Sequence, residues 1–210
     1  MNFKISPFFS IPLMEVQLDL DLEKLTEFVF HIREKNKGGF EFSNMRGYHS
    51  TNILEEKHEE FEKLKKKINE YSQIYYSEVF REMVFKGNII HNISSIWVNI
   101  NEKYHHNEWH IHHYSTLSGV FYVKHDGSVE NGNFMFKHPK HPYLTSVHWP
   151  RELIEETNEV TTEIVSITPK SNMLLIFPSW LEHNVGSNLK DDNRITIGLN
   201  LTPSLEKKSQ

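Results

Sequence analysis

The sequence predicts a mainly β fold, a sandwich or barrel of short strands braced by helices at the N-terminus. Two observations carry this prediction. Before about residue 92 the apolar residues recur at helical spacings, whereas from Ile93 onward they fall into short runs of β type. Turn residues separate these runs at short intervals. Seven or eight short strands in such an arrangement are typical of an all-β sandwich or barrel, the jelly roll included.

Two helices are predicted N-terminal to the strands. Asp21 is placed to cap a first helix that runs to about Lys37, where two glycines end it. A second helix is expected to begin after Thr51 or Asn52, because apolar residues then recur at helical spacing as far as Val79. Its other face carries glutamates and a run of three lysines, which predicts a solvated face with Glu–Lys pairs rather than a contact surface.

Seven segments of the second part of the chain are predicted to be strands. Each is five to eight residues long, is rich in apolar, β-branched or aromatic residues, and has turn residues nearby. They are Ile96–Ile100, Trp109–His113, Leu117–Val123, Asn133–Lys137, Val160–Ile167, Met173–Phe177 and Arg194–Leu201. We expect residues 93–205 to form the β core and residues 1–92 to form a helical support region, within one structural domain.

Composition excludes several classes of function. The chain has 210 residues and no cysteine, so disulfides, thiolate metal sites and cysteine nucleophiles are excluded. The formal net charge is −5, and neither half has a basic excess, which argues against nucleic acid as a partner. No apolar run approaches the roughly 18 residues that a transmembrane helix needs. With no recognisable signal peptide, we expect a cytoplasmic protein that binds neither membranes nor nucleic acid.

Histidine is the unusual residue of this chain. There are 14 histidines, and five of them fall within one stretch of nine residues. His110 and His112 are separated by one residue, so on a strand both imidazoles point to the same face and can reach one metal ion. His183, which follows a strong strand, is the best candidate for a third ligand. The pattern predicts an open metal site; the alternative is ordinary surface or core histidines in a histidine-rich chain.

Arg194 opens a strand of alternating character. The residues that alternate onto its face are Thr196, Gly198 and Asn200. An arginine that points into a small barrel is costly unless an anion satisfies it. Its planar guanidinium can bind a carboxylate through two hydrogen bonds, and the Thr196 hydroxyl can add a donor. This predicts an anion site eleven residues after His183; the alternative is an arginine that faces water at the start of a strand.

These residues lie in blocks that resemble the 2-oxoglutarate- and Fe(II)-dependent oxygenases, most of all a branch described from bacteria and phages. The blocks are Ser95–Ile100 (SIWVNI), His110–His112 (HIH), Leu117–Val123 (LSGVFYV), Gly132–Pro139 (GNFMFKHP), Ile176–Val185 (IFPSWLEHNV) and Arg194–Asn200 (RITIGLN). The resemblance covers roughly residues 93–202, with weaker similarity over Gly38–Ser50. It implies a double-stranded β-helix, the cupin-like jelly roll, that holds Fe(II) at one mouth.

The resemblance implies a set of metal ligands with one departure from the family motif, which is His-x-Asp/Glu with a distal His. His110 corresponds to the first ligand and His183 to the distal one, while His112 stands where the carboxylate normally is. Three neutral imidazoles leave the site with one more positive charge than usual. Imidazole suits Fe(II), but such a site can also accept Zn(II), Ni(II) or Cu(II), which bind nitrogen ligands well.

The resemblance also implies a site for the co-substrate 2-oxoglutarate. Arg194 and Thr196 correspond to the family's arginine and hydroxyl residue, which bind the far carboxylate. Tyr122 stands where related prolyl hydroxylases have a tyrosine that contacts the co-substrate, and Asn99 lies on the strand expected to flank His110. The activity implied is oxidative decarboxylation of 2-oxoglutarate with O2, coupled to oxidation of a substrate C–H bond and usually ending in hydroxylation.

Two other functions remain open from the sequence. A cupin-like three-histidine dioxygenase needs no 2-oxoglutarate and predicts no role for Arg194. A non-catalytic jelly-roll module that binds a carboxylate or a sugar predicts metal binding without turnover. A nucleic-acid demethylase of the same superfamily is disfavoured by the charge and because Asn200 stands where its second arginine is expected.

The expected substrate is a small molecule or a peptide side chain. The candidates for an aromatic rim around the site are Trp109, Trp149, Trp180, Tyr48 and His49. The alternative is that these residues belong to the core. The segment Lys140–Glu159 is either a lid over the site or an ordinary surface loop. The sequence leaves the oligomeric state open, a homodimer included.

Overall fold

The computed structural model of the protein describes residues 10–40, 43–81, 83–139, 153–156 and 162–206. Within these ranges two α-helices and one short 3-10 helix (Val129–Asn131) accompany eleven strands in two antiparallel sheets, which confirms the prediction of a mainly β fold. In chain order the elements are β1 (Met14–Gln17), α1 (Leu22–Lys35), β2 (Asn44–Met45), β3 (Tyr48–His49), α2 (Glu59–Val79), β4 (Ile89–Asn101), β5 (His106–His110), β6 (Leu117–Lys124), β7 (Phe134–Lys137), β8 (Ile164–Ile167), β9 (Met173–Pro178), β10 (His183–Val185) and β11 (Arg194–Leu205).

The two sheets pack face to face, and the helices cover the outer face of the larger one. The larger sheet has the strand order β1-β9-β6-β11-β4-β3, and the smaller has β2-β5-β10-β7-β8. One apolar cluster joins the helices to the larger sheet, and a second joins the two sheets through residues such as Tyr122, Phe134 and Phe177. Neither helix in the described ranges is long and apolar enough to cross a membrane.

Strand β11 shows how alternation builds this arrangement. Ile195, Ile197 and Leu199 are buried in the cluster that contains the helices. Arg194 and Thr196, on the other face of the strand, point between the two sheets, as the period of two predicts. Strands β4 and β6 flank β11 on either side, so its inward face lies at the centre of the larger sheet.

The first predicted helix is confirmed, but the predicted start of the second is wrong. Asp21 caps α1, since its side chain accepts a hydrogen bond from the backbone N–H of Lys24 at 3.1 Å. Helix α2 begins only at Glu59. The backbone N–H of Ile53 donates to the carbonyl of Ile96 at 2.8 Å, and the Asn52 side chain accepts from the N–H of Ile96 at 3.1 Å. These bonds hold the segment along β4 and prevent it from coiling into a helix.

The N-terminal region supplies strands as well as helices. Strand β1 pairs with β9 in the larger sheet, β3 pairs with β4, and β2 pairs with β5 in the smaller sheet. Strand β4 begins at Ile89 and so crosses the predicted boundary between residues 92 and 93. The division of the chain into a support region and a core stays a prediction, and the pairing shows that residues before 93 complete both sheets.

Two predicted strands differ from the observed ones in length. The prediction Trp109–His113 is wrong at its C-terminal end, because β5 ends at His110 and the chain turns away from the ladder there. The prediction Val160–Ile167 corresponds to β8, which begins at Ile164, while residues 160 and 161 lie outside the described residues. The other five predicted strands lie within or overlap observed ones.

Candidate functional site

Three histidines converge between the two sheets. One ring nitrogen of each of His110, His112 and His183 lies within 4.8 Å of those of the other two. Their ring centroids are 4.3 Å apart for His110 and His183, 5.1 Å for His112 and His183, and 5.2 Å for His110 and His112. The predicted histidine cluster is therefore assembled, from one end of β5 and the first residue of β10.

Strand pairing positions two of the three histidines, and a loop positions the third. His110 and His183 are direct partners in the antiparallel ladder of β5 and β10, so their side chains leave the sheet side by side. His112 lies beyond the end of β5, where its backbone N–H donates to the carbonyl of Ser179 at 2.9 Å. His110 and His112 do come together as predicted, but the predicted cause, alternation along one strand, is wrong because β5 ends at His110.

Hydrogen bonds to Nδ1 leave Nε2 of each histidine available. Nδ1 of His110 donates to the carbonyl of Glu108 at 2.6 Å, and Nδ1 of His183 donates to that of Leu181 at 2.8 Å. A carbonyl oxygen only accepts, so in both rings Nδ1 carries the proton and Nε2 keeps its lone pair. The Ser43 hydroxyl lies 3.3 Å from Nε2 of His110, as expected of a donor to that lone pair. This is the arrangement of metal-ligating histidines.

Burial keeps the three imidazoles neutral. It lowers the pKa of His112 to about 4 and lowers the pKa of His110 as well. The pKa of His183 lies well below its usual range, first because of burial and then because of the two neighbouring histidines. Metal ligands must be deprotonated, so at neutral pH no proton has to leave before a metal ion binds.

Arg194 is buried in the same interior, and one of its terminal nitrogens has no hydrogen-bond partner among the described residues. Only 1% of the residue is exposed. Nη1 donates to the carbonyls of Asn131 and Gly186 at 2.8 and 2.7 Å, whereas Nη2 is buried and has no partner among the described residues. Burial lowers the pKa of Arg194 to about 10, so the group stays charged at pH 7. A buried cation with a free donor is the expected counterpart of an anion.

A tyrosine hydroxyl beside the arginine is also without a partner. Tyr122 is fully buried, and its hydroxyl oxygen meets no hydrogen-bonding group of the described residues. Burial raises the pKa of Tyr122, and only the positive charge of Arg194 opposes this, so the phenol stays protonated and able to donate. Together, Tyr122 and Arg194 present two buried donors for an anionic group.

Thr196 and Asn99 belong to a network of amide side chains. Asn99 donates from Nδ2 to the Thr196 hydroxyl oxygen at 3.4 Å and accepts from Asn44 at 3.2 Å. Asn44 is fully buried and also accepts from Asn101 at 2.7 Å. Because the Thr196 oxygen accepts from Asn99, its own O–H is left free to donate.

One cavity of about 590 Å³ joins the histidine cluster to the arginine. All seven residues that the sequence predicts for the site line it; they are Asn99, His110, His112, Tyr122, His183, Arg194 and Thr196. The cavity wall also includes the stacked rings of His49 and Trp97, whose centroids are 5.5 Å apart. No acidic residue is among the described residues of this wall.

The predicted aromatic rim is only partly observed. His49 lines the cavity, but Tyr48 packs against the helix-side core and donates its hydroxyl to the carbonyl of Ile32 at 3.4 Å, so placing Tyr48 on the rim is wrong. Trp180 is 55% exposed and lines a groove next to His110. Trp109 lies under the ammonium of Lys137. Trp149 lies outside the described residues, as does most of the proposed lid segment 140–159.

The sequence reasoning missed a group of polar residues that support the cluster. Asn200 accepts from Nδ1 of His112 at 2.5 Å, and Ser118 donates to the same Asn200 oxygen at 2.8 Å. The alternation of β11 already placed Asn200 on the face of Arg194, which is the signal that could have identified it. Ser118 and Ser43 carry no comparable signal, because only the pairing of distant strands brings them to the histidines.

The sequence matches, over residues 95–200, the family described as "Putative 2OG-Fe(II) oxygenase", in which 2OG is 2-oxoglutarate. The match covers about half of the chain and includes the whole histidine cluster together with the buried arginine. The protein belongs to this family of 2-oxoglutarate- and Fe(II)-dependent oxygenases. It is therefore an oxidoreductase that uses Fe(II), 2-oxoglutarate and O2. A comparison with curated proteins gave no match.

Solved structures of such enzymes share the fold at low sequence identity. A prolyl-4-hydroxylase from Pseudomonas putida superposes with a TM-score of 0.58 and 9% identity, over 92% of this chain and 93% of that chain. The carbocyclase SnoK of nogalamycin biosynthesis superposes with a TM-score of 0.60 and 15% identity, over 91% of this chain and 79% of that chain. HygX from Streptomyces hygroscopicus, with nickel and 2-oxoglutarate bound, superposes with a TM-score of 0.56 and 12% identity, over 93% of this chain and 84% of that chain. These similarities confirm the jelly-roll fold.

The residues of the cavity fit an iron(II) ion and 2-oxoglutarate. Three neutral imidazoles with free lone pairs match the ligand preference of a divalent metal of this kind. The unpartnered donors of Arg194 and Tyr122 match a carboxylate. His112 provides nitrogen where the family motif has a carboxylate oxygen, so the donor set is all-nitrogen, as the sequence predicts.

Proposed function

We propose that this protein is a hydroxylase that couples oxidative decarboxylation of 2-oxoglutarate to oxidation of a C–H bond in a small molecule or a peptide side chain. One observation carries the proposal: a single cavity contains both the histidine cluster and a buried arginine with a free donor. The metal would be held by His110, His112 and His183. Once bound, Fe(II) with 2-oxoglutarate supplies the chemistry that activates O2.

The protein's own groups bind and orient the co-substrate. Nη2 of Arg194 and the hydroxyls of Tyr122 and Thr196 would donate to its far carboxylate, which would give Arg194 and Tyr122 the partners that they lack. Burial of Arg194 makes this interaction stronger than it would be in water, because little solvent competes for the carboxylate. Phe134 and Phe177 line the cavity beside His183 and make this part of the wall apolar.

The part of the wall formed by His49 and Trp97 is the proposed substrate site. The flat, stacked pair of His49 and Trp97 lies next to His112, with 5.5 Å between the ring centroids of Trp97 and His112. With no acidic side chain on the described wall, this region offers nothing to neutralise a cation. We therefore expect a neutral or anionic substrate with an apolar surface that packs on the indole.

The alternative of a three-histidine dioxygenase without 2-oxoglutarate is less well supported. It assigns no role to Arg194, yet this arginine is buried with an unsatisfied donor, which is costly without an anion. A module that binds a ligand and a metal ion without turnover would use the same arginine and histidines, but the family match is to an oxygenase. It stays a prediction that neither nucleic acid nor a membrane is a partner. The oligomeric state stays open, a homodimer included.

An anaerobic titration tests the proposal. Fe(II) and then 2-oxoglutarate are added to metal-free protein, and the visible charge-transfer band of the chelate is recorded. We expect the band in the wild type. In Arg194→Lys the concentration of 2-oxoglutarate that gives half of the full band should be at least ten times higher. In His112→Ala the binding of iron itself should be weaker. Arg33→Lys is the matched control, because Arg33 is half-buried and pairs with Glu102 at 3.2 Å, away from the cavity.

The outcomes separate the candidate functions. Iron bound by the wild type without a band on addition of 2-oxoglutarate would contradict the proposal and favour the dioxygenase that needs no co-substrate. A band that is equally strong in Arg194→Lys would remove this arginine from the co-substrate site. Succinate formed from 2-oxoglutarate under O2 separates an enzyme from a binding module.

A further inference from the structure

His112 is held in a different way from the other two histidines of the cluster. His110 and His183 each donate from Nδ1 to a backbone carbonyl two residues earlier in the chain. These hydrogen bonds depend only on the local backbone, so substitution of other side chains leaves them intact. His112 has left the strand, and its Nδ1 instead meets the side-chain oxygen of Asn200, which is 88 positions away, at 2.5 Å.

The amide of Asn200 is itself clamped between two serines. Asn200 is the direct partner of Ser95 on one neighbouring strand and of Ser118 on the other. Its Nδ2 donates to the Ser95 hydroxyl at 3.1 Å, and its Oδ1 accepts from the Ser118 hydroxyl at 2.8 Å. The two contacts turn the carbonyl end of the amide toward His112.

We propose that Asn200 is the positioning residue of the third metal ligand: its oxygen selects the Nδ1–H tautomer of His112 and turns Nε2 toward the other two histidines. This inference rests on the proposed function, since it assumes that His112 binds the metal. It explains how an imidazole works at a position where the family motif has a carboxylate. A carboxylate offers lone pairs in any orientation, whereas an imidazole has to be held in one tautomer.

A competing arrangement shows what Asn200 has to prevent. Ser118 Oγ also lies 3.0 Å from Nδ1 of His112. If the Ser118 hydroxyl donated to Nδ1, the imidazole proton would move to Nε2, and that nitrogen could no longer bind a metal ion. The Asn200 oxygen accepts the Ser118 proton as well as the His112 proton, and it therefore excludes this arrangement.

The tautomer can be observed in the metal-free wild-type protein. Long-range ¹H–¹⁵N correlation spectra distinguish a protonated Nδ1 from a protonated Nε2. We expect His112 as the Nδ1–H tautomer in the wild type and a mixture or the Nε2–H form in Asn200→Leu. An Nε2–H tautomer in the wild type would overturn the inference, whatever the variants do.

Metal affinity provides the second readout, with Co(II) as the probe. Supporting partners of this kind are typically worth 10- to 100-fold in metal affinity, so we expect Asn200→Leu to bind Co(II) about that much more weakly. Asn200→Asp, which keeps an acceptor, should bind within a few-fold of the wild type or more tightly. Asn92→Leu is the matched control, because Asn92 bonds Ser204 at 2.8 Å on the same two strands, away from the cavity.

The failure of this inference differs from the failure of the proposed function. Wild-type Co(II) affinity in Asn200→Leu, together with weakened affinity in His112→Ala, would overturn the role of Asn200 alone. Wild-type affinity in His112→Ala would overturn the three-histidine site and this inference with it. Thermal unfolding of each variant shows whether it is folded, and the wild-type spectrum does not depend on any variant.

Discussion

Nη1 of Arg194 occupies the space that a side chain at position 132 would need. A Cβ on Gly132 would overlap this nitrogen and the carbonyl oxygen of Gly186. The backbone of Gly132 also has φ +92°, a conformation that side-chain-bearing residues rarely adopt. The glycine therefore lets the guanidinium dock against the loop, where it donates to two carbonyls and directs Nη2 away from them.

We expect Gly132→Ala to weaken binding of 2-oxoglutarate by at least about tenfold, which corresponds to roughly 1.4 kcal/mol. The methyl group displaces the guanidinium, while the metal ligands stay in place. Titration of the Fe(II) protein with 2-oxoglutarate measures the effect. Gly127→Ala is the control, because Gly127 also has a positive φ, +80°, but among the described residues a Cβ there would meet only Cγ of Lys170, at an ordinary contact distance of 3.7 Å. Equal losses in both variants would show that backbone strain, and not Arg194, is responsible.

We expect the hydroxyl of Tyr122 to destabilise the ligand-free protein and to strengthen the binding of 2-oxoglutarate. An unsatisfied buried polar group costs about 1–3 kcal/mol, so Tyr122→Phe should raise the free energy of unfolding of the ligand-free protein by about 1 kcal/mol. The same change should weaken 2-oxoglutarate binding about tenfold. Urea unfolding and the chelate titration measure the two effects.

The matched control for this change is Tyr75→Phe. The buried Tyr75 hydroxyl donates to the carbonyl of Pro12 at 2.9 Å, so its removal should lower stability by about 1 kcal/mol, with no effect on 2-oxoglutarate. If both variants lost stability, the Tyr122 hydroxyl would have a partner in the ligand-free protein.

His112→Asp restores the ligand set that is usual for the family, and we expect it to change the choice of metal. Nitrogen ligands favour Cu(II), Ni(II) and Zn(II), whereas a carboxylate suits Mn(II) and Fe(II) relatively better. The ratio of Fe(II) to Ni(II) affinity should therefore rise, by about tenfold, in the variant. Competition titrations under anaerobic conditions measure this ratio. An unchanged ratio would mean that residue 112 does not contact the metal.

The metal-free protein should lose stability in mild acid. Burial lowers the pKa of His112 to about 4 in the folded protein, against about 6.5 in the unfolded chain, so the unfolded state binds the proton first. The stability that this neutral histidine contributes is complete above pH 6.5 and is lost as the pH falls toward 4. Urea unfolding at pH 7, 6 and 5 measures the slope.

A variant without the titrating group checks the assignment. His112→Gln should have a shallower dependence of unfolding free energy on pH than the wild type. His31→Gln, at an exposed position of α1, is the matched control. An identical slope in all three proteins would assign the acid sensitivity to other buried histidines.

The inward face of β11 was predictable from the sequence because strand periodicity is local. In a strand, alternate residues share a face, so Arg194 and Thr196 had to lie together once the segment was recognised as a strand. The same alternation places Ile195 and Ile197 together on the other face, which the structure buries. The β content also followed from local patterns, whereas the histidine cluster is assembled by the pairing of β5 with β10 and by the loop that holds His112.

The start of α2 and the position of Tyr48 were decided by the tertiary structure. Local propensity allows a helix from Thr51, but Asn52 binds the N–H of Ile96, more than forty residues away in the chain, and keeps the segment extended. Tyr48 is next to His49 in the sequence, yet strand β3 directs the two rings to opposite sides of the sheet. Hydrogen bonds between distant segments are not encoded in local periodicity.

The sequence by itself determined which residues can bind a metal and an anion: the residue types, their order and the alternation of the strands that carry them. Only the tertiary structure decided how His112 is held, since its partner Asn200 comes from another strand. It also decided that Arg194 is left with a free donor beside the buried Tyr122. Both features depend on which strands pair and in what register, and only packing of the whole chain sets that register.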